Sequence, residues 1–278
     1  MSKPPRIEAW PNGGKIAVMV TVMYETWPQG KSPPYSPMAS PLRDGVVDLQ
    51  GISWAEYGGE TGVWRLARVL ADAGVKATFA VNARAAERYP DSVRALHDQG
   101  HEIAGHSYTQ DLLLAYMTPA EERAMIARCG SILQAVTGVR PVGWASPRMT
   151  PTPDTASILA DLGYSWHGDY NDTDLPYVVE TRHGAIVALM HSDFTDNRVL
   201  RGSPRDFLNV YLDTFDFLQT SGAVEIINLT LHTHFGGRPM MAAMLAKILE
   251  RYRAAGDVWF ARHDEMAAFI LSRTRSAR

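Results

Sequence analysis

The stretch KIAVMVTVMY, residues 15–24, is an almost unbroken apolar run in which valine recurs. A strand with one face in water alternates apolar and polar residues, whereas an unbroken run is typical of a strand buried on both faces. Such strands occur in parallel sheets that carry helices on both sides. The run therefore predicts the first strand of an α/β fold.

Downstream of this strand, segments with apolar residues at helical spacing alternate with short extended segments. We predict further strands at residues 76–81, 102–106, 142–145, near 166, 224–232 and 258–261, and helices at residues 63–74, 91–99, 118–136, 153–162, 204–221, 239–253 and 264–273. Repeated β-then-α units predict a parallel sheet covered by helices, either as a barrel or as an open doubly wound sheet. No linker of Gly/Ser-rich or charged composition divides the chain, which indicates a single domain over residues 1–278.

One long segment, residues 27–59, interrupts this alternation and is rich in proline. We predict that it is a loop. A connection of this length inside a compact domain is uncommon and usually has a function. We expect it to be a lid over a site or a contact with another subunit.

The composition excludes several functional classes. The formal net charge of −3 gives no basic surface for nucleic acid. No apolar run is long enough to span a bilayer, and the first residues lack the apolar core of a signal peptide, so we expect a soluble, cytoplasmic protein without a membrane partner. The single cysteine, Cys129, cannot form an internal disulfide.

Four polar residues, Glu25, His106, Arg148 and His232, lie at or just beyond the carboxyl ends of predicted strands. In parallel α/β folds, the carboxyl ends of the strands carry the active site. We therefore expect these four side chains to lie together at one edge of the sheet.

Several short motifs point to a known family. They are Met23-Tyr24-Glu25, Glu56-Tyr57-Gly58, GWASPR at residues 143–148, DLPY at residues 174–177, and LTLHTHFGGRP at residues 229–239. With these motifs the chain resembles the polysaccharide deacetylase superfamily, also called the NodB-homology or carbohydrate esterase 4 family. The resemblance covers about residues 15–270 and is strongest to the branch of metal-independent allantoinases and cyclic imide hydrolases. It implies a distorted parallel (β/α) barrel.

The chain departs from the metal-dependent pattern of that family. The pattern places an aspartate base two residues before an aspartate ligand, where this chain has Met23 and Glu25. It then uses two histidines four residues apart, where this chain has His106 and Gln110. A thioether is no base, and a carboxamide is a poor zinc ligand. We therefore expect no cofactor. If zinc does bind, the candidate ligands are Glu25, His106 and Gln110.

The resemblance implies roles for the catalytic residues. Glu25 or His106 would activate water, and we expect partial burial to raise the pKa of Glu25 toward the working pH. His232 would protonate the departing nitrogen, and Arg148 would stabilise the oxyanion. We expect His232 and His234 to point to opposite sides, so that only one faces the centre.

Further residues are candidates for substrate binding or support. The predicted substrate-binding residues besides Arg148 are Trp144, Tyr57, His234 and Ser146. Asp193 and Asp196 are either substrate-facing polar groups or ordinary loop residues.

The leading hypothesis is a hydrolase that opens a C–N bond of a small cyclic amide, such as a ureide, hydantoin or imide, with allantoin as the first guess. One alternative is a zinc-dependent N-deacetylase with a degraded metal site. Another is a catalytically silent barrel that binds a small ligand. The resemblance also implies a homotetramer or a homodimer.

Overall fold

A curled, mostly parallel sheet forms the centre of the computed structural model, which describes residues 6–40, 42–43 and 45–276. Residues 1–5, 41, 44 and 277–278, which fall within the predicted domain, lie outside the described residues. The nine strands are β1 (Ile16–Tyr24), β2 (Thr78–Val81), β3 (Glu102–Gly105), β4 (Gly143–Trp144), β5 (Trp166–Tyr170), β6 (Tyr177–Thr181), β7 (Gly184–Met190), β8 (Glu225–His232) and β9 (Trp259–Phe260).

The strand order is β6-β7-β5-β4-β3-β2-β1-β8, and β9 also pairs with β1. All pairs are parallel except the antiparallel β6–β7 hairpin. In a regular barrel, backbone hydrogen bonds between β7 and β8 would close the sheet. Here β7 and β8 are not paired, and the Asn228 side chain donates a hydrogen bond to the Met190 carbonyl at 2.7 Å. The prediction of a distorted parallel (β/α) barrel is confirmed.

Nine α-helices occur in the described part of the chain: α1 (Leu49–Tyr57), α2 (Val63–Asp72), α3 (Ala83–Arg88), α4 (Pro90–Asp98), α5 (Pro119–Thr137), α6 (Thr155–Asp161), α7 (Pro204–Ser221), α8 (Pro239–Ala254) and α9 (His263–Ser276). The start of α5 shows how local chemistry sets a boundary: Thr118 and Glu121 form a reciprocal capping box. None of the described helices is long and apolar enough to cross a membrane.

Strand β1 is buried along its whole length, as its apolar sequence predicts. Its side chains alternate between two sides of the sheet. Ile16, Val18, Val20, Val22 and Tyr24 enter the large core that also contains α2 and α8 residues. The intervening residues Ala17 and Met19 belong to the inner core, and Met23 to a small cluster near the carboxyl ends of the strands.

Two parts of the secondary-structure prediction are wrong. Helix α1 lies inside the segment predicted as a loop at residues 27–59, and it begins where Asp48 accepts a hydrogen bond from the backbone N–H of Gly51 at 2.9 Å. An aspartate N-cap after the last proline was the local signal for that helix. The prediction also omitted strands β6 and β7 and helix α3, which are present in the structure. The hairpin turns at Arg182 and His183, directly before Gly184, which has φ +125°.

Candidate active site

Two of the predicted strand-end residues, His106 and His232, meet together with His234 around the carboxylate of Glu25. His106 Nε2 lies 3.7 Å and His232 Nε2 lies 3.5 Å from Glu25 Oε1. His234 Nδ1 lies 4.0 Å from the other oxygen, Oε2. Glu25 follows β1, and His232 ends β8, which pairs with β1. His106 follows β3, which β2 separates from β1, so the carboxyl ends of parallel strands at one edge of the sheet bring the groups together.

Glu25 is buried, with 3% of its surface exposed. Burial by itself would raise the pKa of this carboxyl, but the charge of His232 and the nearby rings of His106 and His234 lower it to about 2. The expectation that burial shifts this pKa upward is therefore wrong, because the positive environment outweighs desolvation. Glu25 is ionised at neutral pH and is a weak base.

His232 is held by a carboxylate that the sequence left ambiguous. Its Nδ1 donates to Asp196 Oδ1 at 2.5 Å, and its backbone N–H donates to Asp196 Oδ2 at 2.8 Å. Burial would lower the pKa of His232, but the charges of Asp196 and Glu25 and the hydrogen bond to Asp196 raise it to about 9. The ring is therefore an imidazolium at neutral pH, with its Nε2–H directed at Glu25. Asp196 is therefore neither a substrate-facing group nor an ordinary loop residue. It orients the His232 ring and stabilises its protonated form.

His106 is oriented by the backbone. Its Nδ1 lies 2.7 Å from the carbonyl oxygen of Ala145, which can only accept, so Nδ1 carries a proton. Its Nε2 has no hydrogen-bond partner among the described residues. In the neutral ring this atom presents a lone pair beside Glu25.

His234 does not point away from His232, so that prediction is wrong. The two rings are 5.4 Å apart, and both approach Glu25. Residues two apart on an extended chain share a face, and the turn after His232 does not reverse this relation. Burial lowers the pKa of His234 to about 3. The ring is enclosed by Trp27 and Trp54, at centroid distances of 5.3 Å and 4.9 Å, so it is neutral and secluded.

A cavity of about 330 Å³ opens in front of these groups. Its lining consists of Met23, Glu25, Tyr35, His106, Gln110, Arg148, Met149, His191, Ser192, Thr195, Asn197, Arg198 and His232. The volume is at the lower end of the range of roughly 300–1,000 Å³ that is usual for small-molecule sites. Arg148 is exposed at this cavity and has a left-handed backbone, with φ +54°.

Besides the enclosed His234, three predicted substrate-binding residues do not reach the cavity. Trp144 is fully buried and donates from Nε1 to the Ser146 hydroxyl at 3.1 Å. Ser146 in turn donates to Asp169 at 2.5 Å, which fixes the loop that carries Arg148. Tyr57 packs under the guanidinium of Arg238, 4.0 Å from the ring centroid. Trp144, Ser146 and Tyr57 therefore do not line this cavity, because the sequence pattern does not reveal which way each side chain turns.

Several cavity residues were not singled out from the sequence. Tyr35, in the proline-rich segment, donates to Glu25 Oε2 at 3.1 Å. His191, Asn197 and Arg198 follow β7 in a stretch without an obvious motif. Their position after a strand was the available signal, but β7 itself was not predicted.

The donor set does not fit a family-type zinc site. Gln110 lines the cavity, and its Oε1 is buried without a hydrogen-bond partner among the described residues. No group of three or more His, Cys, Asp or Glu side chains in the described ranges could hold a metal ion. Catalytic zinc sites usually have three protein ligands, and a carboxamide is a poor substitute for histidine. Met23 supplies a thioether where the metal-dependent pattern has its base.

Comparison with known proteins identifies the class. The polysaccharide deacetylase family model matches residues 54–167. A solved structure described as a probable polysaccharide deacetylase from Pseudomonas aeruginosa PAO1 is 31% identical, with a TM-score of 0.84 over 95% of this chain and 93% of that chain. The chain therefore belongs to the polysaccharide deacetylase family and is a hydrolase of that family.

Two further proteins show the breadth of the likeness. The structure of the Puue allantoinase is 30% identical, with a TM-score of 0.85, and the match covers 96% of this chain and 93% of the allantoinase. A peptidoglycan deacetylase of Helicobacter pylori is 20% identical over 258 residues, which cover 80% of this chain and 88% of the relative. Enzymes named for different substrates thus share this fold.

Proposed function

We propose that this protein hydrolyses an amide C–N bond in a small cyclic amide, such as a ureide, hydantoin or imide, without a metal ion. The observation that carries the proposal is the arrangement of two histidines around the ionised carboxylate of Glu25. On one side lies His232, which is charged and hydrogen-bonded to Asp196. On the other side lies His106, whose Nε2 has no hydrogen-bond partner among the described residues. An acid and a base placed on either side of one anion are the groups that amide hydrolysis requires. The likeness to an allantoinase supports a cyclic substrate.

In the first step, water binds against Glu25 Oε1 and His106 Nε2. Glu25 orients the water, and the imidazole takes its proton, because a carboxylate with a pKa of about 2 is a weak base. The water oxygen forms a bond to the ring carbonyl carbon, and the carbonyl electrons move to oxygen. Arg148 donates hydrogen bonds to that oxyanion from the cavity wall.

In the second step, the oxyanion collapses and the C–N bond breaks. His232 Nε2–H protonates the departing nitrogen, so that it leaves as a neutral amine or amide. The proton held on His106 then returns to His232, because Glu25 Oε1 lies within 3.7 Å of one ring nitrogen and 3.5 Å of the other. The products are a ring-opened carboxylic acid and a free N–H group, and one water has been consumed.

Tyr35 links the proline-rich segment to this chemistry. Its hydroxyl donates to Glu25 from within the same chain, so we propose that the part of this segment around Tyr35 covers the site in cis. We also propose that the protein is a homotetramer or a homodimer, which sedimentation equilibrium would test. Nucleic acid is not a partner in this proposal, because the net charge is −3.

A panel of allantoin, hydantoin, dihydrouracil and succinimide, assayed before and after exhaustive chelation, tests the proposal. We expect turnover of at least one ring, unchanged by chelation, and loss of turnover in Glu25→Gln, His106→Asn and His232→Asn. Glu87→Gln, at an exposed position outside the cavity, is the matched control.

Two other outcomes would contradict the proposal. Turnover that is lost on chelation and restored by zinc would favour a deacetylase-type site with Glu25, His106 and Gln110 as ligands. No turnover of any ring, together with tight binding of one of them, would favour a catalytically silent barrel.

A further inference from the structure

The cavity contains more positive charge than the proposed hydrolysis uses. Its charged lining consists of Glu25, His232, Arg148 and Arg198, and the other titratable groups that face it are His106, His191 and Tyr35. Glu25 and His232 offset each other as a close pair. Two guanidinium groups remain, and neither has a side-chain hydrogen bond or an ion pair with any described residue.

One of these cations already has a role in the proposed reaction. Arg148 projects from the loop after β4 and faces the developing oxyanion. Arg198 comes from a different wall, the short 3-10 helix Asp196–Val199 after β7. The same turn buries Asp196 against His232, while Asn197 and Arg198 line the cavity. Arg198 is therefore fixed relative to the proton donor without taking part in its hydrogen bonds.

No carboxylate among the described residues forms an ion pair with Arg198. Asp196 has 0% of its surface exposed and is engaged by His232. Asp193 is outside the cavity lining and accepts a hydrogen bond from the Asn171 side chain. A planar guanidinium with free donors at the wall of a binding cavity is suited to a carboxylate or another planar anion.

We infer that the substrate is an anionic cyclic amide, which carries a carboxylate on an arm outside the ring, and that Arg198 binds this carboxylate. The inference rests on the proposed function and names the class of its substrate. Arg148 stabilises the oxyanion that forms on the ring carbonyl during the reaction. Arg198 binds the carboxylate of the arm, which is charged before and after the reaction. Arg198 is thus a specificity residue and not part of the proton transfers.

Two matched ligands test the inference: hydantoin-5-acetate and hydantoin-5-acetamide, which have almost the same shape but differ in charge. We expect kcat/KM for the acetate to exceed that for the acetamide by about tenfold to a hundredfold, since charge-assisted hydrogen bonds are the stronger ones. Arg198→Gln should bring this ratio close to one, mainly through the KM of the acetate. The matched control is Arg201→Gln, at an exposed position outside the cavity lining, which should leave the ratio as in the wild type.

Calorimetric binding of the same two ligands separates this inference from the proposed function. Equal kcat/KM and equal affinity for the acetate and the acetamide would overturn the inference and leave ring hydrolysis intact. Tighter binding of the acetate that Arg198→Gln abolishes, without hydrolysis of either ring, would support the anion site and contradict the proposed reaction. A preference for the acetate that Arg198→Gln leaves unchanged would also overturn the assignment to Arg198.

Discussion

The carboxylate of Asp196 holds His232 through two bonds at once, 2.5 Å from Nδ1 and 2.8 Å from the backbone nitrogen. The first bond fixes the tautomer and the charge of the ring, and the second fixes the end of β8 from which the ring projects. This double contact makes His232 a proton donor with a defined direction. Several predictions about activity and stability depend on this arrangement and on the groups around Glu25.

Asp196→Asn should lower kcat by about a hundredfold or more, because the amide cannot stabilise the imidazolium and can impose the wrong tautomer. The negative charge of Asp196 also helps to raise the pKa of His232 to about 9. The alkaline limb of the pH–rate profile should therefore move to lower pH in the variant. Asp193→Asn is the neighbouring control. An alkaline limb that stays in place would contradict the role given to Asp196.

The pKa of His232 also predicts how stability depends on pH. The pKa in the folded protein, about 9, lies above the ordinary value of 6.5 that applies to the unfolded chain. The stabilisation from this group is complete below pH 6.5 and is lost as the pH rises through about 9.

Urea denaturation can measure that dependence. The loss in free energy of unfolding caused by His232→Asn should be larger below pH 6.5 than above pH 9. Tyr116→Phe, at an exposed position, should show no comparable trend over the same range. A His232→Asn effect that is constant or grows with pH would show that the ring is not held as an imidazolium.

Tyr35→Phe should lower kcat/KM by about tenfold to a hundredfold, the value of one hydrogen bond to a charged group. The lost bond is the 3.1 Å contact from the Tyr35 hydroxyl to Glu25 Oε2. Tyr116→Phe, at a position that is 85% exposed, is the control. If Tyr35→Phe behaved like this control, the proline-rich segment would have no direct link to catalysis.

The buried carboxyl group of Glu102, whose pKa burial raises to about 8, should be important for stability and not for catalysis. Glu102 accepts hydrogen bonds from Trp166 Nε1 at 2.8 Å, Thr78 Oγ1 at 2.7 Å and the backbone of Asp264 at 3.0 Å. It thereby joins β3 to β5, β2 and the first turn of α9.

Glu102→Ala leaves those buried donors unsatisfied, so we expect it to lower the free energy of unfolding by about 3 kcal/mol. The fraction that folds should keep its kcat. Glu87→Ala, which removes an exposed contact with Tyr108, should cost less than about 1 kcal/mol. Denaturant titration together with assays of the folded fraction would measure both effects, and a loss of kcat without a loss of stability would be the contrary result.

The sequence by itself determined the class of fold and the edge of the sheet where the site lies. The unbroken apolar run of β1 could only be buried on both faces, and polar residues after β1, β3, β4 and β8 had to meet at one edge because parallel strands end there. These inferences depend on periodicity and strand direction, which neighbouring residues encode. The positions of Glu25, His106, His232 and Arg148 around one cavity agree with this reasoning.

Only the tertiary structure decided the environment of each group. The pKa of Glu25 is low and not raised, because His232, His106 and His234 come from distant parts of the chain. Asp196, Tyr35 and Arg198 join the site through loops whose paths no local pattern specifies. The burial of Trp144, on β4, in the core is likewise a result of tertiary packing. The charge state and the exposure of a side chain depend on all the residues that surround it in space. The sequence pattern shows only the residues that are close along the chain.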